Sequence, residues 1–120
     1  MWLFTRDGFF SAVQDDYCSA GELMIRARAI EDLKKMLEKL QIDDADILEI
    51  KNADYRYRVK LTPEQWTSYV AGEASSIDYA NFKNTLSDDE TQRASAYMKC
   101  WEAMYLFQEA RAQFNHWGDE

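Results

Sequence analysis

The chain has 120 residues and a mass of 14.1 kDa, with 47% apolar, 14% aromatic and 30% charged side chains and a formal net charge of −8. That length supports one domain over residues 1–120 whose core needs no metal or disulfide staple, and the apolar content excludes a disordered chain. The acidic balance argues against bulk electrostatic binding of nucleic acid. No apolar stretch is long enough to span a bilayer and no signal pattern opens the chain, so a cytoplasmic protein is expected.

Residues 2–14, in the stretch WLFTRDGFFSAVQ, read as a β-hairpin. Asp7-Gly8 suits a two-residue turn whose central positions take positive φ. That turn sets Arg6 opposite Phe9, Thr5 opposite Phe10, Phe4 opposite Ser11 and Trp2 opposite Val13. One face then carries Trp2, Phe4, Phe9 and Val13, the other Leu3, Phe10 and Ala12. Both faces are largely apolar, so cover is expected on both sides. Helices would supply it on one side, and the long helix or a second subunit on the other. Trp2, Phe4, Phe9 and Phe10 are therefore the candidate assembly residues.

After a polar loop, Leu23 to Ala29 alternates as a strand, with Leu23, Ile25 and Ala27 on one face and Met24, Arg26 and Arg28 on the other. From Ile30 the period becomes helical, and Ile30, Leu33, Leu37 and Leu40 form a stripe with Met36 beside it. Glu31 and Asp32 precede Lys34, Lys35 and Lys39, the order that the helix dipole favours. Ile47–Lys51 and Tyr55–Leu61 read as two strands joined by Asn52-Ala53-Asp54. In the second, Tyr55, Tyr57, Val59 and Leu61 face one way and Arg56, Arg58 and Lys60 the other. Thr62, Pro63 and Gln65 then open a helix as N-cap, first-turn proline and capping-box partner. Its buried stripe is Trp66, Tyr69, Val70, Ala74 and Ile77.

A connection follows, with room for one helical turn, pinned by Tyr79 and Phe82. Ser87 with Glu90 reads as a second capping box, opening the longest helix, which runs to about Ala112. Ala94, Tyr97, Met98, Trp101, Met104, Tyr105 and Gln108 mark its buried face, and Leu106 and Phe107 widen the apolar surface. Residues 113–120 are expected to fray. The order predicts an α+β fold: an antiparallel or mixed sheet of about four to five strands with an N-terminal hairpin, backed by three helices. It corresponds to a split β-α-β arrangement, a variant of the ferredoxin-like plan.

The blocks WLFTRDGFFS, MIRARA, DYRYRV, DYANFK and YMKCWEAMY resemble those of a family of small proteins from bacteria and their phages for which no activity is established. The resemblance touches most of the chain. It implies a single intracellular domain with a link to phages, and it brings no catalytic or binding residue with it.

Signatures of chemistry are absent from the sequence: no glycine-rich phosphate loop, G-x-S-x-G, H-E-x-x-H or CxxC occurs. Cys18 and Cys100 read as reduced thiols, neither near a histidine. His116, the single histidine, lies in the tail, a poor place for a triad or a metal ligand. The clusters Asp15-Asp16, Asp43-Asp44-Asp46 and Asp88-Asp89-Glu90 lack calcium-loop spacing. No catalytic residue, metal or cofactor is assigned, although acids from different elements can still meet in space.

One feature exceeds ordinary surface patterning. Arg26, Arg28, Lys51, Arg56, Arg58 and Lys60 fall on one sheet face, six of the fourteen basic residues, with Glu49 as the sole acid among them. Three readings compete. The face is an anion site for phosphate, nucleotide or single-stranded nucleic acid, although Tyr55 and Tyr57 are expected to point away from it. It is an assembly surface that meets a partner or a second copy. Or its arginines pair with acids from a loop or the long helix. The sequence favours a non-enzymatic binding or assembly protein with a protein partner, a second copy of itself among the candidates. The runner-up is an acidic, phage-derived inhibitor that occupies the basic groove of a nucleic-acid-binding protein. An anion-binding module or small enzyme ranks third.

Overall fold

The computed structural model describes residues 1–118, with side chains described through Phe114. Its elements are β1 (Trp2–Thr5), β2 (Gly8–Val13), β3 (Leu23–Ala27), α1 (Ile30–Leu40), β4 (Leu48–Glu49), β5 (Tyr57–Leu61), α2 (Pro63–Ser75), a 3₁₀ turn (Phe82–Thr85) and α3 (Thr91–Gly118). The chain forms two compact units that divide between Asp78 and Tyr79. The first holds the sheet with α1 and α2, the second the 3₁₀ turn and α3.

The sheet is five-stranded in the order β1-β2-β3-β5-β4, and every neighbouring pair is antiparallel, so the fold is α+β as expected. Strands β3 and β4 are joined through α1, yet β5 lies between them and pairs with both. They are therefore parallel but not adjacent, a split β-α-β. The place on the other side of β3 is filled by β2 of the hairpin.

The hairpin turns one residue earlier than its sequence predicts. Thr5 pairs with Gly8, Phe4 with Phe9, Leu3 with Phe10 and Trp2 with Ser11, so the turn residues are Arg6 and Asp7, both with negative φ. The cause is a polar lock drawn from distant helices. The Tyr69 hydroxyl donates to Asp7 Oδ2 at 2.7 Å and lies 2.8 Å from Thr5 Oγ1, while Lys39 Nζ approaches the same Asp7 oxygen at 2.9 Å. Thr5 Oγ1 also accepts the Asp7 N–H at 3.1 Å. Gly8 is needed for close approach instead of for the turn. At its φ of +151° an added Cβ would lie 2.0–2.5 Å from the Asp32 carboxylate, which accepts the Phe9 N–H at 3.1 Å. Because the pairing moves by an even number of positions, every side chain keeps its expected face.

Phe10, Ile25, Leu33, Met36, Leu37, Val59, Leu61, Trp66 and Tyr69 form the core under α1 and α2. Phe10 meets Tyr69 and Trp66 edge-on at 5.5 and 6.2 Å. Each such burial stabilises the fold by roughly 1.5–3 kcal/mol. α1 buries Leu33, Met36 and Leu37 of its predicted stripe, half-buries Ile30 and Leu40, and ends where Gln41 takes a left-handed conformation at φ 58°. α2 begins with both halves of its capping box: Gln65 N–H donates to Thr62 Oγ1 at 3.1 Å and Thr62 N–H to Gln65 Oε1 at 2.9 Å. Its stripe is shorter than expected. Trp66 and Tyr69 are buried and Val70 half-buried, but Ala74 is exposed in the last turn and Ile77 is exposed beyond the helix end at Ser75.

In the second unit, Phe82 packs edge-on against Tyr79 and Tyr97, each at 5.8 Å. Only half of the expected capping box forms there. Ser87 N–H donates to Glu90 Oε2 at 3.2 Å, but the Ser87 hydroxyl turns to Asp89 and α3 starts at Thr91. The helix then continues to Gly118, past the expected end near Ala112, and neither proline nor glycine interrupts it before that point. Of its predicted buried face only Tyr97 is buried; Met98, Trp101, Met104 and Tyr105 are exposed, as are Leu106 and Phe107. Trp101 instead stacks on Tyr105 at 5.4 Å, with Lys83 Nζ 4.5 Å from its ring centre. The His116 side chain and residues 119–120 lie outside the described residues.

Candidate interaction face

Pairing of Met24 with Lys60 and Arg26 with Arg58 places these side chains on the sheet face opposite Ile25, Ala27 and Val59. Alternation along the neighbouring strands adds Trp2 and Phe4 from β1, Phe9 and Ser11 from β2, and Leu48 from β4. The structure thus brings Arg26, Arg28, Arg58 and Lys60 onto one side. Lys51 is not among them: β4 ends at Glu49, and Lys51 stands exposed in the following turn. Arg56 precedes β5 and is exposed.

Tyr55 corrects the expected pattern most. Alternation places it on the helix-facing side, but β5 begins only at Tyr57. Tyr55 lies before the strand, after Asp54, whose Oδ1 accepts its N–H at 2.9 Å. Strand alternation does not reach it, and its ring lies among the arginines. The Arg26 and Arg28 guanidinium carbons sit 4.5 and 4.2 Å from the Tyr55 ring centre, and Arg28 is 5.7 Å from that of Phe9. Tyr55 is only 3% exposed beneath them. Phe9 continues the array towards the sheet edge, with Phe4 at 4.5 Å and Trp2 edge-on at 5.9 Å. Aromatic and basic side chains are therefore interleaved on this face.

The two sides of the hairpin differ in burial. Phe10 is fully buried as expected, but Trp2 is 72% and Phe4 39% exposed, with Phe9 half-buried between them and the arginines. Within the first unit, α1 and α2 lie on the Phe10 side of the sheet, so neither helix covers this second face.

The basic residues divide into two groups. Arg58 has Asp54 at 3.7 Å and Asp15 at 4.0 Å, Lys60 has Glu22 at 3.7 Å, and Arg56 has Glu49 at 3.1 Å. The Ser19 N–H, 2.7 Å from Glu22 Oε1, holds that carboxyl below its usual range, with Lys60 adding to the effect. Acids from the loops and from β4 thus neutralise the β5 side. Arg26 and Arg28 have no carboxylate within 4.0 Å among the described residues. Arg26 Nη2 donates to Ser11 Oγ at 2.7 Å, while its Nε is buried with no hydrogen-bond partner among them. Both guanidiniums lie within 4.5 Å of one ring centre, so they repel each other by at least about 2 kcal/mol at an effective dielectric near 20. Cation–π attraction offsets roughly 0.5–2 kcal/mol per contact.

Sequence reasoning missed the polar lock of Thr5, Asp7, Asp32, Lys39, Tyr69 and Glu73. Asp7 reads as a turn residue and Asp32 as a dipole partner, and no local pattern links them to Tyr69 or Gly8. Burial pushes the Tyr69 phenol far above its usual value, with the Asp7 carboxylate adding to the rise. Partial burial works against the Lys39 ammonium, but its contacts to Glu73 and Asp7 outweigh that and raise its pKa. The lock holds the turn, and its hydroxyl and carboxylates are engaged with one another. Cys18 and Cys100 are free thiols. Among the described residues no group of three histidine, cysteine, aspartate or glutamate side chains is placed to hold a metal, and no helix is long and apolar enough to cross a membrane.

No family model, curated protein or solved structure matches the chain.

Proposed function

We propose that this chain is a non-enzymatic binding or assembly protein that engages a protein partner through the open face of its sheet. The observation that carries this reading is the row of aromatic rings from the exposed Trp2 through Phe4 and Phe9, running into Tyr55, Arg26 and Arg28. Trp, Tyr and Arg dominate the binding energy of protein interfaces, because large rigid side chains exclude water around a charged contact. The same residues make the hairpin the part of the sheet least able to stay bare. A cytoplasmic location and a link to phages belong to this reading, supported by the free thiols and by the sequence blocks. The acidic-inhibitor alternative rests on net charge alone, and no local geometry adds to it.

The test compares wild type with the double substitution Trp2→Ser, Phe4→Ser, whose side chains contribute little to the core. Sedimentation reports self-association, and immobilised protein reports partners from a bacterial lysate. The reading predicts that a species heavier than 14.1 kDa, or a captured protein, is lost in the variant while its unfolding midpoint is retained. A wild type that stays monomeric and captures the same proteins as the variant overturns it.

A further inference from the structure

The open face offers more than apolar area: it holds two uncompensated cations in a chain rich in acids. The chain has 22 acidic against 14 basic residues, and Arg56, Arg58 and Lys60 each have a carboxylate within 4.0 Å. Arg26 and Arg28, one strand away, have none among the described residues. Building on the reading of this face as a protein-binding surface, we infer that the Arg26–Arg28 pair anchors a carboxylate of the partner, which is an acidic polypeptide segment with apolar side chains that cover Trp2.

The two arginines have different parts. Arg26 is half-buried and fixed through Ser11 and Tyr55, so it supplies a positive charge that cannot turn away. Its covered Nε, without a hydrogen-bond partner, raises the demand for an anion close by. Arg28 is exposed and braced over Tyr55 and Phe9, so its planar fork of donors is held in place and open to a carboxylate. A braced guanidinium loses less freedom on binding than a free one. Complementarity of charge names an anion, and the aromatic border names its setting. Trp2 is 72% exposed beside Phe9, so a carboxylate arriving at Arg28 brings its neighbours in the chain against apolar rings. A nucleic acid fits less well. Each nucleotide adds a negative charge, and beyond two arginines it meets a molecule of net charge −8.

The experiment titrates the full chain, labelled for NMR, with four probes at low salt. They are the blocked peptide acetyl-Leu-Glu-Leu-Glu-Leu-amide, its glutamine counterpart, inorganic phosphate, and a thymidine oligonucleotide. The expected result is that the glutamate peptide shifts the Arg28 Nε and Trp2 indole signals and binds about tenfold more tightly than the glutamine peptide, the ratio shrinking as salt is raised. Arg28→Gln, at an exposed position outside the core, removes that ratio while the unfolding midpoint is retained. Equal binding of the two peptides, no shift at millimolar peptide, a ratio that survives Arg28→Gln, or tighter binding of phosphate or the oligonucleotide each overturns the inference. The two proposals fail separately. A partner lost with Trp2→Ser, Phe4→Ser but kept in Arg28→Gln and in high salt leaves the face and removes the carboxylate anchor.

Discussion

The two faces of the N-terminal hairpin are equally apolar in composition and opposite in environment. Towards α1 and α2, Phe10 is fully buried against Trp66 and Tyr69, and the polar groups of the turn are engaged by Tyr69, Lys39 and Asp32. On the other side Trp2, Phe4 and Phe9 form a row of rings that ends on two arginines, with Trp2 72% and Phe4 39% exposed. The difference teaches that apolar alternation states where burial is favourable, and not which molecule supplies it. The inner face serves folding. The outer face is suited to a partner.

Paired substitutions break this comparison most strongly. Phe10→Ala removes a fully buried ring and is expected to cost about 3–5 kcal/mol in urea unfolding, while Phe4→Ala, one strand away, costs under about 1 kcal/mol. Similar losses at both positions would show that the outer face is also covered in the folded chain. Gly8→Ala ranks next, at about 2–4 kcal/mol, because the new Cβ meets the Asp32 carboxylate at a φ unsuited to side chains. A further Asp32→Ala change should recover part of that loss, since it removes the group in the way.

Tyr69→Phe sharpens the comparison on the inner face, with an expected loss of about 1–2 kcal/mol from leaving Asp7 and Thr5 without their shared partner. Its pH dependence has a definite sign. The folded pKa values of Tyr69 and Lys39 are both raised, so their stabilisation is complete below the unfolded values, near ~10, and fades as pH rises beyond them. Unfolding at pH 8 to 11 should therefore show the gap between wild type and Tyr69→Phe narrowing towards the alkaline end. A gap independent of pH would mean that the phenol does not titrate differently on unfolding.

Much of the framework was legible in the sequence. The alternation of Leu23 to Arg28 and of Tyr57 to Leu61, the stripe of Leu33, Met36 and Leu37, and the capping box of Thr62 and Gln65 all appear as read. Half of the candidate site was legible with them, since Arg26, Arg28, Arg58 and Lys60 needed only strand alternation to share a face. Tyr55 was not, because a residue two places outside a strand escapes the rule that the strand residues obey. Nor were the acid partners of Arg58 and Lys60, which come from loops before β3 and β5.

What the sequence by itself determined is whatever depends on period and on hydrogen bonds between residues a few places apart: the kind of each element, its start signals and its apolar side. Only the tertiary structure decided where the hairpin turns, which arginines are neutralised, where the Tyr55 ring lies and how little of α3 is buried. Those outcomes depend on groups brought together from distant parts of the chain, as when Tyr69 captures Asp7 and Asp32 takes the space beside Gly8. Local propensity at Asp7-Gly8 is worth a few tenths to one kcal/mol or so. A buried hydroxyl, an ammonium and a carboxylate meeting at one turn outweigh it, and the pairing follows them.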